Sequence, residues 1–333
     1  MAGKKIGMQS IAFSSPPQIA SWASIVGPME GEGPFGSKFD WVMEDYFFGT
    51  GSYEEAEGKM LKEAVRLAAR KEGLQVKDIE VVLAGDFLNQ SPASNYAGRE
   101  LSLPFLGIYG ACTTLVEGMI LAGMLIDGSF YDRVAVGAVS HYHTAERHFR
   151  LPVELDGGKL ASAQWPVTGA GAVIVQRLGD RPRITVATIG RVVEGELSGV
   201  SDLGAAIASA AADTVITHFK DLDRGPDYYD LIVTGDLGKL GSALMEELCL
   251  AAGYSLGEKY TDCGVEIYAR QQQNIMAGGR GCGSLAAMTC GPYLGSLTAG
   301  RIRRLLLVGT GAMMVEQGAS IPGIAHAVAV EAE

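Results

Sequence analysis

Gly110-Ala111-Cys112-Thr113-Thr114 opens a long apolar stretch that runs to Gly128, and the strand-like run Arg133 to Ala138 follows it. Near the C-terminus Cys282-Gly283-Ser284-Leu285-Ala286 opens another apolar stretch, followed by Gly300 and by Arg304-Leu305-Leu306-Leu307-Val308-Gly309. A second pair of segments is spaced by a similar interval. Ile79-Glu80-Val81-Val82-Leu83-Ala84-Gly85-Asp86-Phe87-Leu88 returns as Tyr229-Asp230-Leu231-Ile232-Val233-Thr234-Gly235-Asp236-Leu237-Gly238. One strand–loop–helix–strand design is therefore written twice, with a cysteine at the start of one helix in each copy.

The spacing around these blocks predicts helices before each strand. Met60, Leu61, Ala64, Val65, Leu67 and Ala68 fall on one broad face and Gly73 stops the pattern. In the second copy a helix over Ala205 to Lys220 precedes the strand. The stretch from Thr113 to Asp127 is apolar nearly all round, with Glu117 its only charge before Asp127, so that helix belongs inside the protein. Strands alternating with helices imply parallel sheets joined by right-handed crossovers. One buried helix from each half between two sheets gives an α/β fold of duplicated halves in five layers, α-β-α-β-α. The halves are expected at residues 1–180 and 181–333, packed as one body with a seam over Gly179 to Pro182.

The 333 residues are 47% hydrophobic and 20% charged, enough for a large core. The net charge of −11 argues against nucleic acid as a partner and disfavours simple electrostatic adsorption to anionic lipid, so a bound anion needs a local positive pocket. Five cysteines without a C-x-x-C pair suggest free thiols in a reducing compartment. No N-terminal signal pattern is present, and the longest apolar runs fall short of the ~20 residues of a membrane span.

Cys112 is the sharpest candidate for chemistry. At the start of a buried helix, backbone N–H groups and the helix dipole favour a thiolate, so the residue is expected to be a nucleophile or an anion contact; the alternative is a small buried cysteine in a tight turn. The most cation-rich segment, Ser140 to Arg150, follows the strand that leaves this helix. Strand-end loops of α/β folds bind ligands. His141 and His143 would share one side of an extended segment, which suggests a metal pair, but no third ligand accompanies them, and no metal is expected. Arg147 and Arg150 suit an anion better, each able to grip a carboxylate through two donors. Either arginine could instead pair with Glu146 or Asp132. His218 reads as a surface or cap residue, and His326 opens the last strand facing either a pocket or the core. Thr168-Gly169-Ala170-Gly171 leads into a strand and so fails as a dinucleotide fingerprint. Gly278 to Gly283 precedes a helix without a P-loop lysine, and Arg280 within it could point toward the pocket.

The duplicated layout, the Gly-Ala-Cys-Thr-Thr turn and Gly323-Ile324-Ala325-His326-Ala327 resemble the thiolase-like superfamily of thiolases and ketoacyl synthases. More narrowly, Leu83 to Gln90, Thr144 to Pro152, Val167 to Val173, Thr188 to Val192 and Ser320 to His326 resemble a family of sporulation proteins with that fold, components of the spore's dipicolinate channel. That resemblance implies a non-enzymatic role at the inner spore membrane: binding dipicolinate (pyridine-2,6-dicarboxylate), free or as its calcium chelate, during uptake and release. It implies other proteins of the channel as partners, a homodimer, and no cofactor. The expected ligand-binding residues are Cys112, Thr113, His141, His143, Arg147, Arg150 and His326. Ketoacyl synthases carry a histidine on the loop after the second-half strand, where this chain has Gly235-Asp236-Leu237-Gly238-Lys239. Thiolases carry a second cysteine where this chain has Ile321-Pro322-Gly323. An acyl-transferring or condensing enzyme built on Cys112 is the alternative that the resemblance leaves open.

Overall fold

The computed structural model describes residues 4–149, 163–194, 203–269, 275–313 and 321–332. Ten of its strands carry the repeat. The first half contributes β1 (Gln18–Val26), β2 (Val81–Asp86), β3 (Phe105–Gly107), β4 (Arg133–Ser140) and β5 (Gly169–Gln176). The second contributes β6 (Arg183–Ile189), β7 (Leu231–Thr234), β8 (Tyr260–Asp262), β9 (Arg304–Ala312) and β10 (Gly323–Glu331). Their spatial orders are β3-β2-β4-β5-β1 and β8-β7-β9-β10-β6, the same path twice. In each half the first three strands run parallel and the last two alternate antiparallel. The two five-stranded units join edge to edge where Arg183 of β6 pairs with Gln18 of β1.

Helices form the other layers. Helices α1 (Tyr53–Lys71) and α2 (Pro92–Leu101) cover one outer face. Ser52 caps α1, accepting from the Glu55 N–H at 3.2 Å, with Glu54 and Glu55 in the first turn and Arg70 and Lys71 in the last to match the helix dipole. Met60, Leu61, Ala64, Val65 and Ala68 of α1 pack on Ala135, Val139, Ala172 and Ile174 of the first sheet. On the opposite side lie α5 (Leu203–Leu222) and α6 (Gly238–Ala251), whose Ile207, Val215, Phe219 and Met245 pack against Leu306, Val308 and Ala327. The middle layer is α3 (Thr114–Asp127) and α7 (Cys282–Met288), which share one core cluster with the inner faces of both sheets. This is the five-layer thiolase-like arrangement.

Each central helix presses on the other half's sheet at a glycine. A Cβ on Gly171 of β5 would lie 2.2 Å from the Ala286 carbonyl oxygen of α7. A Cβ on Gly309 of β9 would lie 2.9 Å from Cα of Thr113, beside the start of α3. Neither position accepts a side chain, because backbone meets backbone there.

The segment after β4 differs from expectation. Tyr142–Phe149 is a helix, α4, not an extended loop. His141 and His143 therefore do not share one side of a strand, and among the described residues no group of three His, Cys, Asp or Glu is placed to hold a metal ion. No helix of the described residues is long and apolar enough to cross a membrane.

Candidate functional site

The site forms where the two halves meet at the C-terminal ends of the parallel strands. Ala111 takes a left-handed backbone (φ 50°), turning the chain so that Cys112 and Thr113 lead into α3. Gly281 makes the matching turn before α7 (φ 104°). The two helix starts face each other, and the Cys282 thiol donates to the Ala111 carbonyl at 3.1 Å.

Asp236 completes the cluster from the loop after β7. Its carboxylate accepts from the Thr310 hydroxyl at 2.7 Å and from the Gly281 N–H at 2.9 Å, and it takes a further hydrogen bond from the Cys112 thiol. Asp262 fixes that loop by accepting from the Leu237 and Gly238 N–H groups at 2.9 and 3.0 Å. The buried Gln164 amide supports it too, donating to the carbonyls of Asp236 (2.8 Å) and Gly279 (3.0 Å). Five residues from both halves (Thr310, Gly281, Cys112, Asp262 and Gln164) thus hold one short acidic side chain in place.

The electrostatics run opposite to the expected thiolate. The hydrogen bond with Cys282 pushes the Cys112 thiol well above its usual range, with burial and then the Asp236 charge adding to it. Burial also raises Asp236. The helix start supplies less than these neighbours remove, so Cys112 stays a protonated S–H donor. Arg280 acts in the opposite direction on Asp236, its charge lowering it. Its guanidinium is half-buried, with Nε enclosed and without a hydrogen-bond partner among the described residues.

Aromatic rings stand at this cluster. Burial and the nearness of Cys282 and Cys112 raise the Tyr109 phenol to about 12, and its hydroxyl donates to Asn89 at 3.4 Å. Phe87 approaches Gly281, where a Cβ would be 3.6 Å from its ring, and contacts Phe149 at 4.7 Å between centroids. Tyr142 stacks on Trp165 at 4.4 Å next to the strand pair that holds Arg280.

Most of the other expected ligand residues are engaged elsewhere. The Thr113 hydroxyl donates to Gly110 in its own turn at 2.6 Å. His141 is fully buried, with Nε2–H donating to the Tyr46 carbonyl at 2.9 Å and Nδ1 accepting from the His143 N–H at 3.2 Å. Burial drops it to about 4, so it is a neutral packing residue. His143 stacks on Tyr53 at 4.1 Å, and burial followed by the Arg147 charge lowers it. Arg147 is exposed and pairs with Glu54 at 2.6 Å, not with Glu146 or Asp132; Asp132 pairs with Arg177. Arg147 does line a hollow of about 220 Å³ with Glu54, Asn89, Thr144 and His148. Arg150 lies outside the described residues. His326 faces the middle layer opposite Gly309, and its Nδ1 accepts from the Gly190 N–H at 3.1 Å. His218 is no surface residue: it is buried between Thr188 (2.7 Å) and Tyr229 (2.5 Å).

Asp236, Cys282, Thr310 and Tyr109 were therefore missing from the expected set. The repeated Gly-Asp after each strand was the available signal for Asp236, and the duplicated helix start was the signal for Cys282.

A family model described as Stage V sporulation protein AD (SpoVAD) matches residues 7–331. The Stage V sporulation protein AD of Bacillus subtilis (strain 168) is 41% identical over 332 residues, covering 98% of each chain. Among solved structures, a Xanthomonas campestris OleA superposes with a TM-score of 0.61 over 96% of this chain and 99% of that one, at 16% identity. An OleA variant with bound lauric acid and lauroyl-CoA gives 0.58 over 94% and 99%, also at 16% identity. The 3-oxoacyl-(acyl-carrier-protein) synthase III of Aquifex aeolicus VF5 gives 0.56 over 95% and 99%, at 14% identity. At such identities these condensing enzymes share the fold alone. A match along nearly the whole length, on a duplicated thiolase-like frame, makes this chain a member of the stage V sporulation protein AD family of sporulation proteins.

Proposed function

We propose that the chain is a non-enzymatic binding subunit for dipicolinate, serving the SpoVA channel of the spore in uptake during sporulation and release in germination. The observation that carries this reading is Arg280, a half-buried guanidinium beside the Cys112–Asp236–Cys282 cluster whose enclosed Nε has no hydrogen-bond partner among the described residues. Dipicolinate is a flat aromatic dianion. One carboxylate suits the Arg280 guanidinium, and the other suits the start of α3 at Cys112, where the helix dipole favours an anion. Tyr109 and Phe87 offer a wall for the pyridine ring. The ligand enters as the free dianion or as its calcium chelate, and the subunit works at the inner spore membrane with other channel proteins, as a homodimer.

The same geometry speaks against an acyl-transferring enzyme. A cysteine nucleophile needs a thiolate and a partner base. Here the Cys112 thiol is held protonated beside Asp236, and the four histidines whose ring contacts are described above hydrogen-bond or stack elsewhere. The likeness to OleA and the synthase keeps that alternative in view.

Calorimetric titration with dipicolinate tests the proposal, with pyridine-2-carboxylate as control and acetyl-coenzyme A in a parallel assay. Saturable binding of the dianion, weakened at least about tenfold by Arg280→Gln as expected for a lost charged hydrogen bond, supports it. Binding that ignores Arg280→Gln but falls with Arg147→Ala moves the site to the outer hollow. Absence of binding, together with release of coenzyme A that depends on Cys112, turns the protein into an enzyme.

A further inference from the structure

The opposite pole of the molecule has a surface that the ligand site does not use. Phe130 and Leu178 are 75% and 78% exposed there, among the most exposed large hydrophobic side chains of the described residues. Arg177 ties their two turns together, donating to the Ser129 hydroxyl at 3.0 Å and to the Tyr131 carbonyl at 3.1 Å. Beyond Leu178 lies a cavity of about 470 Å³ lined by Asp180, Arg181, Pro182, Leu297, Thr298, Gly300, Arg303 and Ala332. Arg181, Arg301, Arg303 and Arg304 are all exposed around it.

Two of the nearby acids are paired with cations, and two hold backbone N–H groups. Asp132 pairs with Arg177, and Asp127 with Lys4 at 2.8 Å. Glu80 accepts from the N–H groups of Asp132 and Arg133, and Asp230 from those of Arg303 and Arg304. Asp180 is the carboxylate that remains in the cavity. A chain of net charge −11 thus concentrates arginines and two projecting apolar tips at one end.

We propose that this pole docks on an anionic phospholipid bilayer. Phe130 and Leu178 enter the headgroup boundary, and Arg181 and Arg303 meet lipid phosphates at the mouth of the cavity. Isolated apolar tips ringed by arginine suit a bilayer interface, where apolar burial and attraction to anionic headgroups add; each basic group near such a surface contributes about 1 kcal/mol. The eight residues of β4 separate this pole from the ligand site, about 23 Å at the usual rise per residue. Docking therefore leaves the Cys112 end facing away from the lipid.

Vesicle co-sedimentation of the full chain tests it. Wild type should pellet with vesicles of phosphatidylglycerol and phosphatidylcholine, not with phosphatidylcholine alone, and binding should fall steeply between about 0.05 M and about 0.5 M salt. The pair R181E and R303E, and separately F130S and L178S, should each lower the bound fraction at least about tenfold. Unchanged circular dichroism and dipicolinate titration in both variants separate lost docking from lost folding or a lost ligand site. Wild type that ignores phosphatidylglycerol, or variants that pellet like wild type, would overturn the proposal.

Discussion

The two halves match most closely at the base of their sheets and differ where the candidate site forms. At the base of each parallel sheet one acid performs the same task. Glu80 accepts from the N–H groups of residues 132 and 133 at 2.6 and 2.8 Å, and Asp230 from those of residues 303 and 304 at 2.7 and 3.0 Å. Arg133 then donates to the Asp78 carbonyl and Arg304 to the Tyr228 carbonyl, at 3.0 and 3.1 Å. At the other end the copies diverge. Asp86 accepts from Leu88 and Ser94 within its own half, at 2.9 and 2.7 Å. Asp236 reaches Thr310, Gly281 and, across the seam, Cys112. Duplication supplies the frame, and departures from it supply the site.

The largest break in this symmetry should come from the middle layer. Gly171→Val drives a side chain into the α7 backbone and should cost at least about 3 kcal/mol or prevent folding, with Gly309→Val following it. Urea unfolding measures both, and a loss below about 1 kcal/mol in either would mean that the helix can shift away.

The buried acid Glu30 should give the next effect. Burial raises it from 4.5 to about 7, partly offset by hydrogen bonds from Tyr268 and the Thr168 N–H. Between those values the folded chain keeps a proton that the unfolded chain has released. Its contribution to stability therefore falls as pH rises from 4.5 to about 7 and is level above that. Glu30→Gln lacks this proton, so its stability relative to the parent should gain up to about 3 kcal/mol between about pH 5 and about pH 8. A pH-independent difference would place the carboxyl in contact with water.

The matched basal acids should give smaller and similar losses. Glu80→Ala and Asp230→Ala each free two backbone N–H groups at an exposed turn, so each should cost about 1 kcal/mol in the same urea assay. Unequal losses would show that the halves differ in stability as well as in chemistry. The smallest expected signal is chemical. Cys112 and Cys282 should both resist iodoacetamide in the native state at neutral pH, because both are buried and Cys112 is held protonated. Rapid labelling of Cys112 alone, read by mass spectrometry, would restore the activated nucleophile.

The frame was legible because periodicity and repetition report burial directly. The unbroken apolar run of β2, the all-round apolar α3 and the second copies of both led to the five layers. Of the candidate site, Cys112 and Arg280 were legible. Helix position alone predicted a thiolate, while the deciding neighbours, Cys282 and Asp236, lie 170 and 124 residues away in sequence. Local charge also misled. The cationic run Ser140 to Arg150 looked like one anion grip, but the chain coils into α4 over Tyr142–Phe149, which sends His141 and His143 to Tyr46 and Tyr53 and Arg147 to Glu54, while Arg150 lies outside the described residues. A sequence shows which groups are charged, and only the fold shows which of them are already paired.

The central claim is that the two different helix starts together make a dianion pocket. A crystal structure of the chain grown with dipicolinate tests it most directly. One carboxylate should lie within hydrogen-bond distance of the Arg280 guanidinium, with the ring between Tyr109 and the Cys112–Asp236 pair. Dipicolinate seated against Arg147 instead, or Cys112 carrying an acyl group after exposure to a thioester, would contradict the account.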